Sequence, residues 1–530
     1  MRTTAAGIFA VSVALAGVAA PAFAQKSGGI LNFYHRGNPP SGSIHEEATN
    51  STTNPYMSVF NNLVMFDQAK RIEGMDTIVP ELATEWAWDD SRTKLTFKLR
   101  TGVKWHDGKP FTAKDVKCTF DLLQGKSKDR LRKNPRAIWY HNLKEVKING
   151  DTEVTFTLGR PQPAFLMLLA AGFTPMYPCH VSAQVMRTNP IGTGPFKFVE
   201  FKRNEYIKFT KNKDYWKKGL PYLDGHEWRV VTNRSTRILA FSNGDFDITF
   251  PTDVTVPLMK DVKNRAPDAV CDMTSTGVST NLIVNRDEAP FNDAKIREAM
   301  ALALDRQSFI DILTEGKAQI GGAMMPPPDG RWGLGAAELK DQPGYGPDIE
   351  GNRAKARKIM EGLGYSQTNP LKVKISTRNI AVYRDPAVIL IDQLKKIHIA
   401  GELDVVDTSI WHAKVARKDY AIGLNLTGVG VDDPDVNYYE NYKCGSQRNY
   451  TKYCNPELEK LFDKQSMEGD ATRRKVIVDQ IEKILIRDVA RPIIFHGVAA
   501  TCWHPYVKGV QLHVNSIYND WRMEGIWLDK

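Results

Sequence analysis

Residues 94–99 read Lys-Leu-Thr-Phe-Lys-Leu and residues 153–158 read Glu-Val-Thr-Phe-Thr-Leu. Apolar side chains at every second position predict strands with one face buried. Between them, Thr112 to Leu123 opens on a turn bearing Thr and Asp and continues with helical spacing, so the stretch reads as a mixed unit of its own. Gly29 to Tyr34 predicts a first strand running into the Pro/Gly/Ser loop Gly37 to Ser43. Strands are predicted again at Lys197 to Phe201 and Tyr206 to Phe209, joined by the turn Lys202 to Glu205, with a buried strand at Asn281 to Asn285. The texture then changes. Asn292 or Asp293 is placed to cap a helix whose Ile296, Met300, Ala303 and Leu304 share one face and which ends by Gly316. Helix Ala387 to Ile397 leads to strand Leu403 to Val406, and helix Arg473 to Asp488 leads to Pro492 to Phe495. That alternation predicts an α/β lobe.

The first two dozen residues differ from the rest. Arg2 is their only charge, an apolar run extends from Ala5 to Ala20, and Ala22-Phe23-Ala24 closes the segment. This predicts a secretory signal peptide, residues 1–24, cleaved before Gln25. Gln25 stands where a lipoprotein needs Cys, so the expected product is a free periplasmic protein. Its length of about 500 residues calls for several cores or lobes rather than one. The formal charge of +10 falls to +9 without Arg2 and is scattered, which suits a solvated basic surface or an anionic ligand and gives nucleic acid little support. Six cysteines enter an oxidising compartment, and none forms a CxxC pair. Cys444 and Cys454 flank a short polar segment and are candidates for a local disulfide. The pairing of Cys118, Cys179, Cys271 and Cys502 is left open.

Four ordered blocks carry a resemblance. Pro80-Glu81-Leu82-Ala83-Thr84-Glu85-Trp86 is followed by Leu95 to Asp107-Gly108 and by Pro110-Phe111-Thr112-Ala113-Lys114-Asp115-Val116. Ile191-Gly192-Thr193-Gly194-Pro195-Phe196 comes next with Asn212-Lys213-Asp214-Tyr215-Trp216, then Gly244 to Ile248, then Pro290 to Ala299. Together they resemble the peptide-, dipeptide- and nickel-type solute-binding proteins of ABC importers, family 5. The resemblance implies the large, type II two-lobed periplasmic binding fold, α/β, with an extra mixed α/β subdomain. Residues 25–57, 190–280 and 500–530 would form the first lobe, 58–189 its extension and 281–499 the second lobe. The hinge would lie near Val278 to Leu282 and Gly497 to Ala500. His106-Asp107-Gly108 reads as a turn between strand and helix, and Gly192 to Gly194 as a tight turn between lobes. The implied partners are a small-molecule or short-peptide ligand and the importer's membrane permease, with no nucleic acid, no cofactor, no metal and the chain acting as a monomer.

In dipeptide- and oligopeptide-binding members, an Asp in the second lobe receives the peptide's ammonium. Here the corresponding stretch runs from Asn425, Leu426 and Thr427 to Asp432-Asp433-Pro434-Asp435, and the acidic position falls on Val429 or Gly430. Neither can neutralise an amine, so a free-amine peptide requires Asp432 or Asp433 to bend into the cleft. Arg378 resembles the family position that meets a ligand carboxylate, a task suited to a forked donor, and otherwise reads as a solvated strand-end arginine. Tyr34, Tyr56, Tyr383 and Trp411 are candidate stacking walls or ordinary packing residues. Thr427, Val429 and Asp432 are candidates by position, and His35 and His412 lie nearby without metal-ligand spacing. A secreted hydrolase is disfavoured by the lack of G-x-S-x-G, H-E-x-x-H and Walker A patterns. An envelope chaperone would expose an apolar groove instead of enclosing a cleft.

Overall fold

The computed structural model describes residues 25–519 and 521–530; the segment read as a signal peptide lies outside them. The first strand, Ile30–His35, pairs parallel with Gly225–Val230, which continues antiparallel through Tyr206–Lys211 to Phe196–Lys202. Alternation explains the buried face: in Tyr206–Lys211, Ile207 and Phe209 point inward while Lys208 and Thr210 lie toward solvent. Phe33 stacks on Trp228 at 3.9 Å between ring centroids, and Trp521 meets Phe33 edge-on at 6.3 Å, fixing the C-terminal segment to this sheet.

A second antiparallel sheet runs in the order Ala83–Trp88, Lys94–Leu99, Glu153–Leu158, Leu143–Gly150. Its inner face is made by Leu95, Phe97, Leu99, Val154, Phe156 and Leu158, all buried. Helix Ala113–Leu123 covers that face, and at its start the Thr112 N–H donates to Asp115 Oδ2 at 3.0 Å. A disulfide ties Cys118 on this helix to Cys179. Gly192 and Gly194 correct one sequence expectation. A Cβ at either position would collide with the backbone of Ser58 or Val59, so these glycines permit a close approach inside the first lobe and its extension rather than a turn between lobes.

The third sheet is mixed, in the order Ile399–Val406, Leu371–Arg378, Ile422–Gly428, Val270–Val284, Ile493–Trp503. The first three strands are parallel and the last two antiparallel to their neighbours. Helices Ala381–Lys395, Ala294–Leu302 and Ile349–Gly362 supply Leu390, Met300 and Met360 to its apolar core with Leu282, Ile375 and Leu424. The single helix expected from Asn292 to Gly316 is two, Ala294–Leu302 and Arg306–Thr314. Asp305 accepts the Ser308 N–H and caps the second, restarting the helix.

The strand expected at Asn281 to Asn285 is the end of a much longer one. Val270–Val284 pairs along Val270–Ser275 with Val498–Trp503, and along Val278–Val284 with Ile422–Gly428. Bridges from Phe33 to Ile248 and from Ile248 to Trp503 attach its ladder partner, Ile493–Trp503, to the first sheet. The antiparallel pair Val270–Val284 and Ile493–Trp503 therefore serves both α/β bodies. Their ladder breaks register between Ser275 and Ser279, where Gly277 has φ +62°. A disulfide joins Cys271 to Cys502 directly across this ladder, and Cys444 is bonded to Cys454.

Candidate functional site

The parallel strands of the third sheet end toward the first lobe at Arg378, Val406 and Gly428. Loops outside the carboxyl ends of parallel strands are where α/β folds place ligands. Arg378 is 1% exposed and donates from Nε to Thr408 Oγ1 at 3.0 Å and from Nη2 to Ser51 Oγ at 2.9 Å. The second contact crosses to the first lobe. Ser51 belongs to helix Asn50–Tyr56, in which every residue after Asn50 is buried despite the sequence Asn-Ser-Thr-Thr-Asn-Pro-Tyr. A polar helix so deeply buried needs partners, yet the Thr53 hydroxyl and both polar atoms of the Asn54 amide have none.

A cavity of about 270 Å³ lies between the lobes. Arg36, Asn50 and Tyr518 line it from one side, Tyr383 and Leu426 from the other, with Phe495 at the crossing strands. Arg378 stands beside it, with its guanidinium 5.4 Å from the Tyr383 ring centroid. A second space, bounded by Thr427, Val429, Asp432 and Asn515, measures about 20 Å³, enough for roughly one water.

Cations dominate this interface. Arg136 is 3% exposed, lies 3.2 Å above the Phe173 ring and donates Nη1 to the Glu47 carbonyl at 2.9 Å, while its Nε and Nη2 have no partner. Arg448 is neutralised by Glu440, which also accepts Trp139 Nε1–H at 2.8 Å across the lobes. Arg36 and Arg237 share Asp253. Both ring nitrogens of His412 are shielded and unpartnered. Burial, followed by the charges of Arg378, Arg448, Lys133 and Arg136, holds His412 well below the usual imidazole range, so it is neutral at pH 7.

The remaining residues singled out in the sequence fall in different places. Tyr383 lines the larger cavity. Tyr56 instead packs edge-on against Phe209 at 5.4 Å, because its helix turns that ring into the first lobe's core. Trp411 likewise fills a pocket beside Ile283 and Tyr420 and donates Nε1–H to Asn425 Oδ1 at 3.1 Å. Tyr34 is fully buried, edge-on to Phe246. His35 donates Nε2–H to the Ser51 carbonyl at 2.9 Å, and burial lowers its pKa to about 3. The Thr427 hydroxyl is spent on Asn281, Asn425 and Arg491. Asp433 caps helix Pro434–Asn441 and is gripped by Arg474 through bonds of 2.8 and 2.7 Å, so it does not bend into the cleft. Asp432 accepts the Arg331 N–H at 3.1 Å and faces the one-water space with Val429.

Sequence reasoning missed Arg36, Asn50, Thr53, Asn54, Arg136 and Tyr518. The only available signal was the run at 50–56, too polar for a core helix and too short for a solvated one. Among the described residues no three His, Cys, Asp or Glu side chains converge as a metal site, and no helix is long and apolar enough to cross a membrane.

Comparisons with known proteins agree on one family. The model of the bacterial extracellular solute-binding proteins, family 5 Middle, matches residues 77–449. The chain is 26% identical to the probable di/tripeptide-binding protein 5 of Pseudomonas aeruginosa (strain UCBPP-PA14), covering 97% of each. It is 27% identical to the oligopeptide-binding protein AppA of Bacillus subtilis (strain 168), over 82% of this chain and 80% of that one. Among solved structures, the periplasmic binding protein DppA from Helicobacter pylori in complex with the peptide STSA superimposes with a TM-score of 0.83 at 23% identity, covering 95% of this chain and 99% of the other. The protein AgaA in complex with agropinic acid, from A. tumefacien R10, gives a TM-score of 0.82 at 23% identity with the same coverage. These likenesses show a two-lobed periplasmic binding fold.

Proposed function

The chain belongs to the bacterial extracellular solute-binding proteins, family 5, and from that membership we propose that it is the substrate-binding component of an ABC importer, capturing a peptide or peptide-like solute between its lobes and delivering it to the membrane permease. One observation carries the reading. Both lobes contribute to an interlobe cavity, with Arg36, Asn50 and Tyr518 on one wall and Tyr383, Leu426 and Val382 on the other. A concave, mostly apolar space with a few polar groups on its walls suits a bound solute.

The first lobe comprises residues 25–57, 190–280 and 500–530, with 58–189 as its extension and 281–499 as the second lobe. The crossing strands act as the hinge at the register break opposite His496 and Val498. Closure is favoured only through contacts the solute makes with both lobes at once. The protein is exported by cleavage after Ala24, works in the periplasm as a monomer and turns over nothing. Relatives named for di/tripeptides and oligopeptides support peptide-like cargo. A non-peptide solute is the second reading, favoured by Val429 and Gly430 at the ammonium position. An opine is one such solute, since the structurally similar AgaA was solved in complex with agropinic acid.

Small-angle scattering of the purified protein, with native mass spectrometry of any solute retained through purification, tests this. Compaction on adding a retained solute or a culture extract is expected. An unchanged scattering profile with every extract, or hydrolysis of the solute, would overturn it.

A further inference from the structure

A second space between the lobes, of about 260 Å³, adjoins the larger cavity and shares Arg36 and Arg234 with it. On the first-lobe side it is walled by Arg36, just after strand Ile30–His35, and by Arg234 and Arg237 of helix Arg234–Ser242. Asn379, Ala381 and Arg384 face them from just beyond strand Leu371–Arg378. We infer that this space is a phosphoryl-binding site bridging the two lobes.

The charges do not balance there. Among the described residues no acidic side chain lines the space. Asp253 is shared by Arg36 at 3.4 Å and Arg237 at 2.7 Å, and Asp385 takes Arg234 at 2.6 Å. Arg384 has only a neutral contact, donating Nη1 to Asn379 Oδ1 at 3.3 Å. Two carboxylates thus stand against four guanidiniums drawn from both lobes, a surplus of two positive charges. Arg36 is 7% exposed, and its Nε has no acceptor among the described residues. Buried guanidiniums short of acceptors are costly. Helix Ala381–Lys395 adds to the field, since its positive end opens on the same space. Its N-cap, Ile380, brings no side-chain acceptor, and the Ala381 N–H has no partner among the described residues.

A carboxylate would supply one charge and two acceptors in a single plane. A phosphoryl group supplies nearly two charges and three acceptor oxygens, which suits donors converging from two sides. Pockets for larger organic ligands begin at roughly 300 Å³, so the occupant here is small: free phosphate, or the phosphoryl end of a solute whose body lies in the adjoining cavity.

Calorimetry on the full chain with inorganic phosphate, phenyl phosphate and acetate, at ionic strength held constant with chloride, tests this. Phosphate should bind with Kd of about 1 mM or below, and acetate about tenfold or more weakly. R384Q, at an exposed position, should weaken phosphate by about threefold or more, whereas R473Q, an equal loss of charge at a distant exposed site, should leave it unchanged. Phenyl phosphate binding more tightly than phosphate assigns the site to a phosphorylated solute; equal or weaker binding assigns it to the free ion. Acetate as good as phosphate, neither phosphate binding below about 10 mM, or R384Q behaving like R473Q overturns the inference. The first two of these outcomes are read on the wild-type chain alone. The inference needs the two-lobed fold and not the cargo, so its failure leaves the capture reading to its own scattering test.

Discussion

Asp432 is 8% exposed, with the Arg331 N–H as its hydrogen-bond donor, and burial pushes its carboxyl up to about 7, aided by the charge of Asp433. Glu73, from the first lobe's extension, is raised well above its usual range by burial and also feels Asp432. A carboxyl that holds its proton more tightly folded than unfolded costs stability as it ionises. The native state therefore loses stability as pH climbs from about 4, the unfolded value, through about 7. D432N keeps an oxygen for the Arg331 N–H and removes the charge. Its melting temperature should change less between pH 5 and pH 8 than that of the wild type, with a gain on the order of a few kcal/mol at the upper end. Equal pH slopes would show that Asp432 does not carry this dependence. The sequence could not separate Asp432 from Asp433, because their difference is made by Arg474, 41 residues beyond Asp433 and brought near only by folding. Arg378 could be singled out by its place at the end of an alternating strand, though its burial could not. Arg136 was not, since an arginine before aromatics has no periodicity to announce its burial.

At the scale of elements, the short alternating strands of the extension and the capped helix over them could be read directly, because one residue pattern decides one buried face. The crossing strand could not. Its middle, Thr274-Ser275-Thr276-Gly277-Val278-Ser279-Thr280, lacks apolar alternation because it passes between two bodies instead of lining one core. Its covalent partner was equally hidden, as Cys271 and Cys502 are 231 residues apart. Closing a longer loop restricts the unfolded chain more. Replacing Cys271 and Cys502 by Ser should lower unfolding free energy by roughly 2–5 kcal/mol, and more than the same change at Cys444 and Cys454, which lie 10 apart. Denaturant midpoints under oxidising conditions measure both, and a larger loss from the short loop would contradict the ranking.

Over the whole molecule, the two-lobed fold was legible through its ordered blocks, whereas the contacts that hold the lobes together were not. Trp139 donates to Glu440, Gln162 donates to Asp435 at 2.9 Å, and Arg160 reaches Asp463 at 2.9 Å, each across more than 270 residues of chain. Such pairs stabilise the arrangement of the chain in which they form. W139F removes the N–H and retains the ring, so it should weaken solute binding severalfold by depopulating the closed state and raise the dissociation rate. Stopped-flow release of a bound solute measures this, and an unchanged rate would show that the Trp139 bond plays no part in closure.

The Cys271–Cys502 bond also gives the molecule a fixed pivot. The chain leaves for the second lobe and returns from it at the same covalent point, with Cα atoms 4.1 Å apart. The second lobe is thereby an excursion on a stapled stem. The register break at Gly277 lies beyond the staple, so the stem's base cannot splay whatever the strands do there. On the proposed reading, uptake and release are changes of angle about a constant axle.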